Sequence, residues 1–350
     1  LKIKRWGYMK LQELNKKLEL LYTFIGNTTD TIYYYLNVSD GYIYVNNEYS
    51  YLVIDYETNG MYTIDLKDLI NSIKIFNVND EINVYNNDDL VLFNNNKTVR
   101  IEKYNTDNTL VDQKYDNVIE IDAKQFLKIV DSNSNIGSIG DNMYDNIVYT
   151  QNGFLYFISS TYATLLISKC KLLSYDNLIT SFNYSFLRHL VKCLKLLDIK
   201  GKSLKLMKND KVTTIAIDNM KFIFLNKVNT DFESYKLVGN INNSYKLATL
   251  NVQELREIVK KLYIASNTSY LGNYLKLDKT IWLGFKKNGV ESKLNLPIEV
   301  SDVCEININY VSLYKFLNTL NNKHIDFVRY NILHDTLYAF ETNDHKYMII

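Results

Sequence analysis

Six times along the chain an amphipathic helical stripe precedes a run of short alternating segments, and a chain built this way must fold as repeated helix-plus-strand units. Five copies share one template: an apolar residue, then Asp or Asn, then an apolar residue four positions beyond that polar one. They are Ile64-Asp65 with Leu69, Ile121-Asp122 with Phe126, Phe182-Asn183 with Leu187, Leu250-Asn251 with Leu255, and Ile308-Asn309 with Leu313. The side-chain oxygen of Asp or Asn accepts the orphan amide hydrogens of a first helical turn, so these residues are read as N-caps. They fall 57 to 68 residues apart. A sixth, degenerate copy covers Lys10 to Leu21, where Leu11, Leu14, Leu18 and Leu21 make the stripe.

After each stripe the hydrophobic period changes to two, the spacing of half-buried strands. Glu81–Tyr85, Leu90–Phe93 and Val99–Tyr104 form one triplet, separated by turns rich in Asn, Asp and Lys. Ser203–Met207, Val212–Ile217 and Lys221–Leu225 form a second, and Ile325–Tyr330, Thr336–Phe340 and Tyr347–Ile350 a third. The odd-numbered helices have their own, such as Thr31–Tyr35, Tyr42–Val45 and Tyr51–Tyr56. The unit is therefore one helix and about three strands. Two units make a domain and three domains make the chain. The connectors Asn105–Asn117 and Asn226–Ser244 lack helical periodicity, which sets the domains at 1–108, 116–236 and 245–350. A β-rich repetitive structural or adhesive phage protein is the competing architecture, but a fibre does not need a capped helix at a fixed place in every repeat.

Hydrophobic residues make up 47% of the 350, enough to furnish real cores, and 30 Tyr against one Pro favours strands. The excess of Asn, Lys, Ile and Tyr is what AT-rich codons produce, and points to an AT-rich genome such as that of a virus of bacteria. Cys170, Cys193 and Cys304 are scattered and odd in number, as in a reduced chain. No apolar run approaches membrane-spanning length. The expectation is a soluble cytoplasmic protein, in the host cytoplasm if viral, with no membrane partner and with its folded part starting nearer Met9 than Leu1.

Net charge is only +1, so any nucleic-acid role must rest on where the charges sit. On helical wheels started at the caps, the face opposite the apolar stripe repeatedly carries cations. These are Lys67 and Lys74, Lys124 and Lys128, Arg188, Lys192 and Lys195, Arg256 and Lys260, and Lys315. Acids are scarce there, Asp131 and Glu257 excepted, and gather in turns such as Asp80-Glu81, Asp88-Asp89 and Asp141–Asp145. One solvated helix face with lysines means nothing; the same face in five helices points to a shared anionic ligand. Phosphate contacts of this kind carry no sequence information.

Enzyme chemistry lacks its usual signatures. There is no phosphate-binding Gly-rich loop, Gly137-Ser138-Ile139-Gly140 being a turn, and no nucleophile elbow. His189, His324, His334 and His345 have no compact ligand spacing with Cys or carboxylates. His189 is expected at a surface and His345 in a turn before the last strand. No catalytic residue, metal or cofactor is assigned.

The arrangement resembles the bacterial DNA polymerase sliding clamps, the β-clamp family, over essentially the whole chain. Phe232-Glu233-Ser234-Tyr235-Lys236-Leu237-Val238 looks like the family's F-P-D-Y-x-x-V connector, with Glu233 and Ser234 in place of its Pro and Asp. Leu155–Leu166 sits where the family has a strand, a T-D-G-H-R-L turn and another strand, and Tyr347–Ile350 resembles the last strand without the M-P-M-R-L tail. The resemblance implies an α+β fold of three clamp domains with helices lining a ring and sheets outside. It implies a head-to-tail homodimer around duplex DNA, a polymerase tethered to it, and a separate ATP-driven clamp loader. By position it implies a partner-peptide cleft with Ile158, Leu165, Val238 and Met348, and a dimer interface with Val99, Ile101, Leu262 and Ile264. A trimeric ring like proliferating cell nuclear antigen, whose subunits have two domains, is the alternative; six repeats favour three domains and a dimer.

Overall fold

A computed structural model describes residues 5–26, 34–47, 49–56, 60–77, 79–86, 89–94, 96–104, 114–136, 146–160, 164–174, 176–226, 244–266, 272–332 and 335–349, without the side chains of 5–10, 85, 86, 332 and 335. The first repeat is β1 (Arg5–Lys10), α1 (Leu11–Ile25), β2 (Tyr35–Ser39), β3 (Tyr42–Asn46) and β4 (Ser50–Asp55). The second is β5 (Tyr62–Asp65), α2 (Leu66–Ile73), β6 (Glu81–Asn86), β7 (Leu90–Phe93) and β8 (Thr98–Ile101). The third is β9 (Asn117–Asp122), α3 (Ala123–Ile136), β10 (Asn146–Gln151), β11 (Phe154–Ser160) and β12 (Thr164–Lys171). The fourth is β13 (Ile179–Phe182), α4 (Tyr184–Leu196), β14 (Ser203–Lys208), β15 (Val212–Ile217) and β16 (Met220–Leu225). The fifth is β17 (Ser244–Asn251), α5 (Val252–Ala265), β18 (Asn273–Asp278), β19 (Thr280–Lys287) and β20 (Val290–Leu296). The sixth is β21 (Cys304–Asn307), α6 (Tyr310–Thr319), β22 (His324–Ile332), β23 (Asp335–Glu341) and β24 (His345–Ile349).

All five caps do what their chemistry allows. Asp65 Oδ1 accepts from the Asp68 amide at 2.9 Å, Asp122 from Gln125 at 2.8 Å and Asn183 from Phe186 at 2.7 Å. Asn251 accepts from Gln253 and Glu254 at 2.9 and 3.2 Å, and Asn309 from Ser312 at 3.0 Å. Each repeat holds four strands, not three. The additional strand enters the helix and ends at or just before the cap. At four residues, as in β13, it is too short to show alternation, and its partner lies far away in sequence, Phe182 pairing with Asn146.

These entry strands are exchanged between neighbouring repeats. β1 lies beside β6 and β5 beside β2; β9 and β13, then β17 and β21, repeat the exchange. The result is a series of four-stranded antiparallel half-sheets. Two pairs of halves fuse into eight-stranded sheets, β5-β2-β3-β4-β16-β15-β14-β9 and β13-β10-β11-β12-β24-β23-β22-β17. The halves β1-β6-β7-β8 and β20-β19-β18-β21 stay four-stranded. The fold is α+β throughout.

The chain divides into two compact units, Leu1–Glu120 with His189–Asn226, and Ile121–Arg188 with Lys227–Ile350. In the first, α1 packs on α2, β3 and β4, with Phe24 against Phe222 at 5.9 Å between ring centroids. The folded part begins ahead of Met9, since β1 starts at Arg5 and pairs with β6. In the second unit α3 packs on β11, β12 and α6, and α5 on α6. Alternation along β12 sends Leu166 to the helix side and Leu165 and Ile167 to the other, where they join separate apolar clusters. Between α3 and the sheet runs a buried polar chain. Asn133 Nδ2 donates to Ser168 Oγ at 2.6 Å, the hydroxyl of Ser159 bridges Asn133 and Asn146, and Ser168 Oγ shares a hydrogen bond of 2.8 Å with His345 Nδ1. His345 is thus the first residue of β24 and only 1% exposed, not a turn residue, because Ser168 and the ring of Phe316 hold it inside.

Candidate nucleic-acid interface and partner cleft

The helix cations named from periodicity fall into two groups. Lys67, Lys74, Lys124, Arg188, Lys192, Lys195 and Lys260 are exposed. Burial of Leu69, Phe126, Leu187 and Leu255 turns the opposite faces outward, as the stripes require. Lys67 places its ammonium 3.4 Å from the centroid of the Tyr34 ring, and Arg188 lies 5.5 Å over Tyr184.

Two of the other three cations are spent inside the protein. Lys128 Nζ meets Asp344 Oδ2 at 2.7 Å. Arg256 Nη2 donates to the carbonyls of Leu317 and Leu320, at 2.7 and 3.1 Å, and so serves the end of α6. Lys315 is half-buried; burial lowers its pKa, and the neighbouring Arg188 lowers it further. Two like charges held near one another favour an anion beside them. Periodicity missed Lys16, which is exposed on α1; the degenerate cap of that helix gave no offset from which to count.

On the opposite face of the second unit's eight-stranded sheet, the residues proposed for a cleft come together. Leu165 sits across from Met348 in the β12–β24 pair, and Ile158 across from Ile167 in the β11–β12 pair. With Ile147, Val328 and Ala339 they form one apolar cluster. Met348 is 1% exposed and Leu165 4%, so they make a floor rather than projecting knobs. Val238 and the connector 232–238 lie outside the described residues, as do His334, Gly137–Gly140 and residues 141–145. Sequence reasoning missed Tyr156, Lys169 and Lys346 on the same face. Lys169 alternates with Leu165 and Ile167 along β12, a period-two signal that could have placed it.

The residues expected at a dimer interface lie in different settings. Val99 and Ile101 are on β8, an edge strand. Leu262 is buried in its own core, whereas Ile264, two residues further along α5, is 65% exposed. The three cysteines are free thiols. Burial pushes Cys170 up to about 12 and Cys193 higher still, so neither offers a thiolate. Among the described residues no group of three or more His, Cys, Asp or Glu could hold a metal ion, and no helix is long and apolar enough to cross a membrane.

No protein-family model matches the chain, and no curated protein matches it in sequence. Solved structures do match, from end to end. A DNA polymerase sliding clamp from Pseudomonas aeruginosa superposes with TM-score 0.81 at 14% identity, covering 99% of each chain. The DNA polymerase III beta subunit of Thermotoga maritima gives 0.77 at 12%, covering 98% of each. A Helicobacter pylori beta clamp bound to a DNA ligase peptide gives 0.72 at 12%, covering 97% of each. Identities this low establish a shared fold alone, over nearly the full length of the chain.

Proposed function

We propose that the chain is a DNA sliding clamp, a non-enzymatic processivity factor that closes around duplex DNA as a head-to-tail homodimer and tethers a replicative polymerase. The observation that carries this reading is the order in which repeats are joined. The last strand of the first repeat, β4, pairs with the last strand of the fourth, β16. The last strand of the third, β12, pairs with that of the sixth, β24. Each joint advances by three repeats. The next joint would take β20, at the end of the fifth repeat, to the end of an eighth. A second copy supplies that strand as its own β8, and β8 and β20 are the two closing strands that remain at sheet edges. Pairing them in both directions removes those edges and gives a closed set of twelve repeats.

In this reading the domains are 1–108, 116–236 and 245–350, and the exchange of entry strands within each pair of repeats supports that division. Val99 and Ile101 lie at one end of the joint and Ile264 near the other. Lys67, Lys74, Lys124, Arg188, Lys192, Lys195, Lys260 and Lys315 face the phosphates, giving weak, non-specific contact that permits sliding. Lys128 and Arg256 take structural roles instead. The apolar floor of Ile158, Leu165 and Met348, with Val238, receives partner peptides, as the ligase peptide bound to the Helicobacter clamp suggests. Closure around DNA keeps the polymerase at high effective concentration near the primer end, and a separate loader must open the ring. The mass of the particle in solution tests the assembly. Two chains are expected, in an annulus visible by electron microscopy; one chain or three would contradict it.

A further inference from the structure

In the first unit the joint between β4 and β16 repeats the one between β12 and β24, each pairing closing strands three repeats apart. With the helix-side pair Leu52–Phe222 set against Leu166–Tyr347, Tyr51 and Ile223 take the positions of Leu165 and Met348. Val53 takes that of Ile167, and Lys221 that of Lys346. The apolar part of the helix-free face is therefore kept. Tyr44, Val53, Val212 and Ile223 form one cluster, with Tyr51 and Leu225 partly buried against it.

The charges are not kept. In the second unit Lys346 is met by Glu341 at 3.3 Å across the β23–β24 pair. The next residue in that row, Asp326 on β22, is held by Lys246 at 2.9 Å. In the first unit Ala216 stands where Glu341 does, and Lys205 where Asp326 does. Neither Lys221 nor Lys205 makes an ion pair among the described residues. Asp55 lies two residues beyond Val53 on β4, and Glu120 accepts from the Ser203 hydroxyl, so neither carboxylate serves them. Neighbouring strands are about 4.8 Å apart, which sets the two lysine backbones roughly 10 Å from each other across Ala216. The row presents two unmatched cations beside an apolar, tyrosine-bearing floor.

We propose that this face is a second docking surface, separate from the β12–β24 floor, and that its occupant is an acidic segment of a partner protein. A large apolar side chain of that segment lies on Tyr51 and Ile223, and two carboxylates meet Lys221 and Lys205. The lysines supply the charge complementarity, and the floor calls for an apolar side chain, which a phosphodiester backbone lacks. Acidic residues three apart on an extended segment span about 10 Å, the separation of the lysines.

Fluorescence anisotropy with the full chain tests it. The probes are labelled eight-residue peptides with one phenylalanine and with aspartate, serine or lysine at two positions three residues apart. An oligonucleotide of eight thymidines is the fourth probe. The aspartate probe is expected to bind about three to ten times more tightly than the serine probe at low salt. Lys221→Ala combined with Lys205→Ala should abolish that preference at an unchanged melting temperature, whereas Lys221→Arg should keep it. Lys205→Glu alone, at an exposed position, should shift the preference toward the lysine probe. Lys346→Ala, the corresponding change in the second unit, should leave it as it was. Equal binding of the aspartate and serine probes, a preference that survives the double variant, or no binding by any peptide overturns the proposal. Oligonucleotide binding lost in the double variant while peptide binding persists would give the face to nucleic acid and overturn it too. None of these readouts requires a closed ring, so this surface and the clamp assembly stand or fall separately.

Discussion

Lys128 on α3 and Asp344, in the turn that leads into β24, are joined by an ion pair of 2.7 Å across 216 residues of sequence. The pair takes a lysine that helical periodicity assigns to the cationic face and fixes it against the sheet's last turn. Lys128→Ala should leave DNA affinity within twofold of the parent. Lys124→Ala, one turn earlier and exposed, should lower the slope of log affinity against log salt by about one. Filter binding to short duplexes over a salt series distinguishes the two; a larger effect at Lys128 would return it to the DNA face.

Arg256 gives a second separation of structure from binding. Its guanidinium satisfies two carbonyls at the end of α6. Arg256→Ala should destabilise the protein by about 1–3 kcal/mol, the cost of leaving such groups unpaired, with DNA affinity at moderate salt nearly unchanged. Urea unfolding alongside the same binding assay measures both.

His345 titrates abnormally. Burial, and then the Lys128 ammonium, lower its pKa to about 4, while Asp344 opposes them. Below the ordinary histidine value of about 6.5 the unfolded chain binds a proton that the folded chain refuses, so stability falls as pH drops from about 6.5 to 4. The loss should be on the order of 2–3 kcal/mol. His345→Gln should flatten that part of the pH profile, whatever it does to stability at pH 7. Denaturant melts of both proteins between pH 7 and 4 give the comparison, and parallel profiles would remove His345 as the cause.

Gly26 ends α1 at φ +74°, and a Cβ there would stand 2.5 Å from His189 Nε2. Gly26→Ala combines a left-handed backbone with that clash, and should cost about 1–2 kcal/mol from the backbone alone. Adding His189→Ala should recover the steric part and leave the backbone part. A double variant no more stable than Gly26→Ala would show that the imidazole had simply moved aside.

The helices were legible in the sequence because their signals are local. A cap, a stripe four residues on and a change of period sit within twenty residues of one another, and Asp65, Asp122, Asn183, Asn251 and Asn309 each carried theirs. The entry strands were not, since Ile179–Phe182 offers four residues and a partner far upstream. The same distinction runs through the cations. Periodicity places Lys128 and Arg256 outward, but nothing local announces that Asp344 or the carbonyl of Leu317 will be waiting there. Leu165 and Met348 were paired by resemblance, and their facing positions rest on β12–β24 register, which no single segment encodes.

Retention on circular DNA is the most direct measure of the central claim. A preparation loaded by a clamp loader onto a nicked circle should remain bound at high salt and be released when the circle is cut to a linear duplex. Loss from the intact circle at the same rate as from the linear form would mean that no closed ring surrounds the DNA.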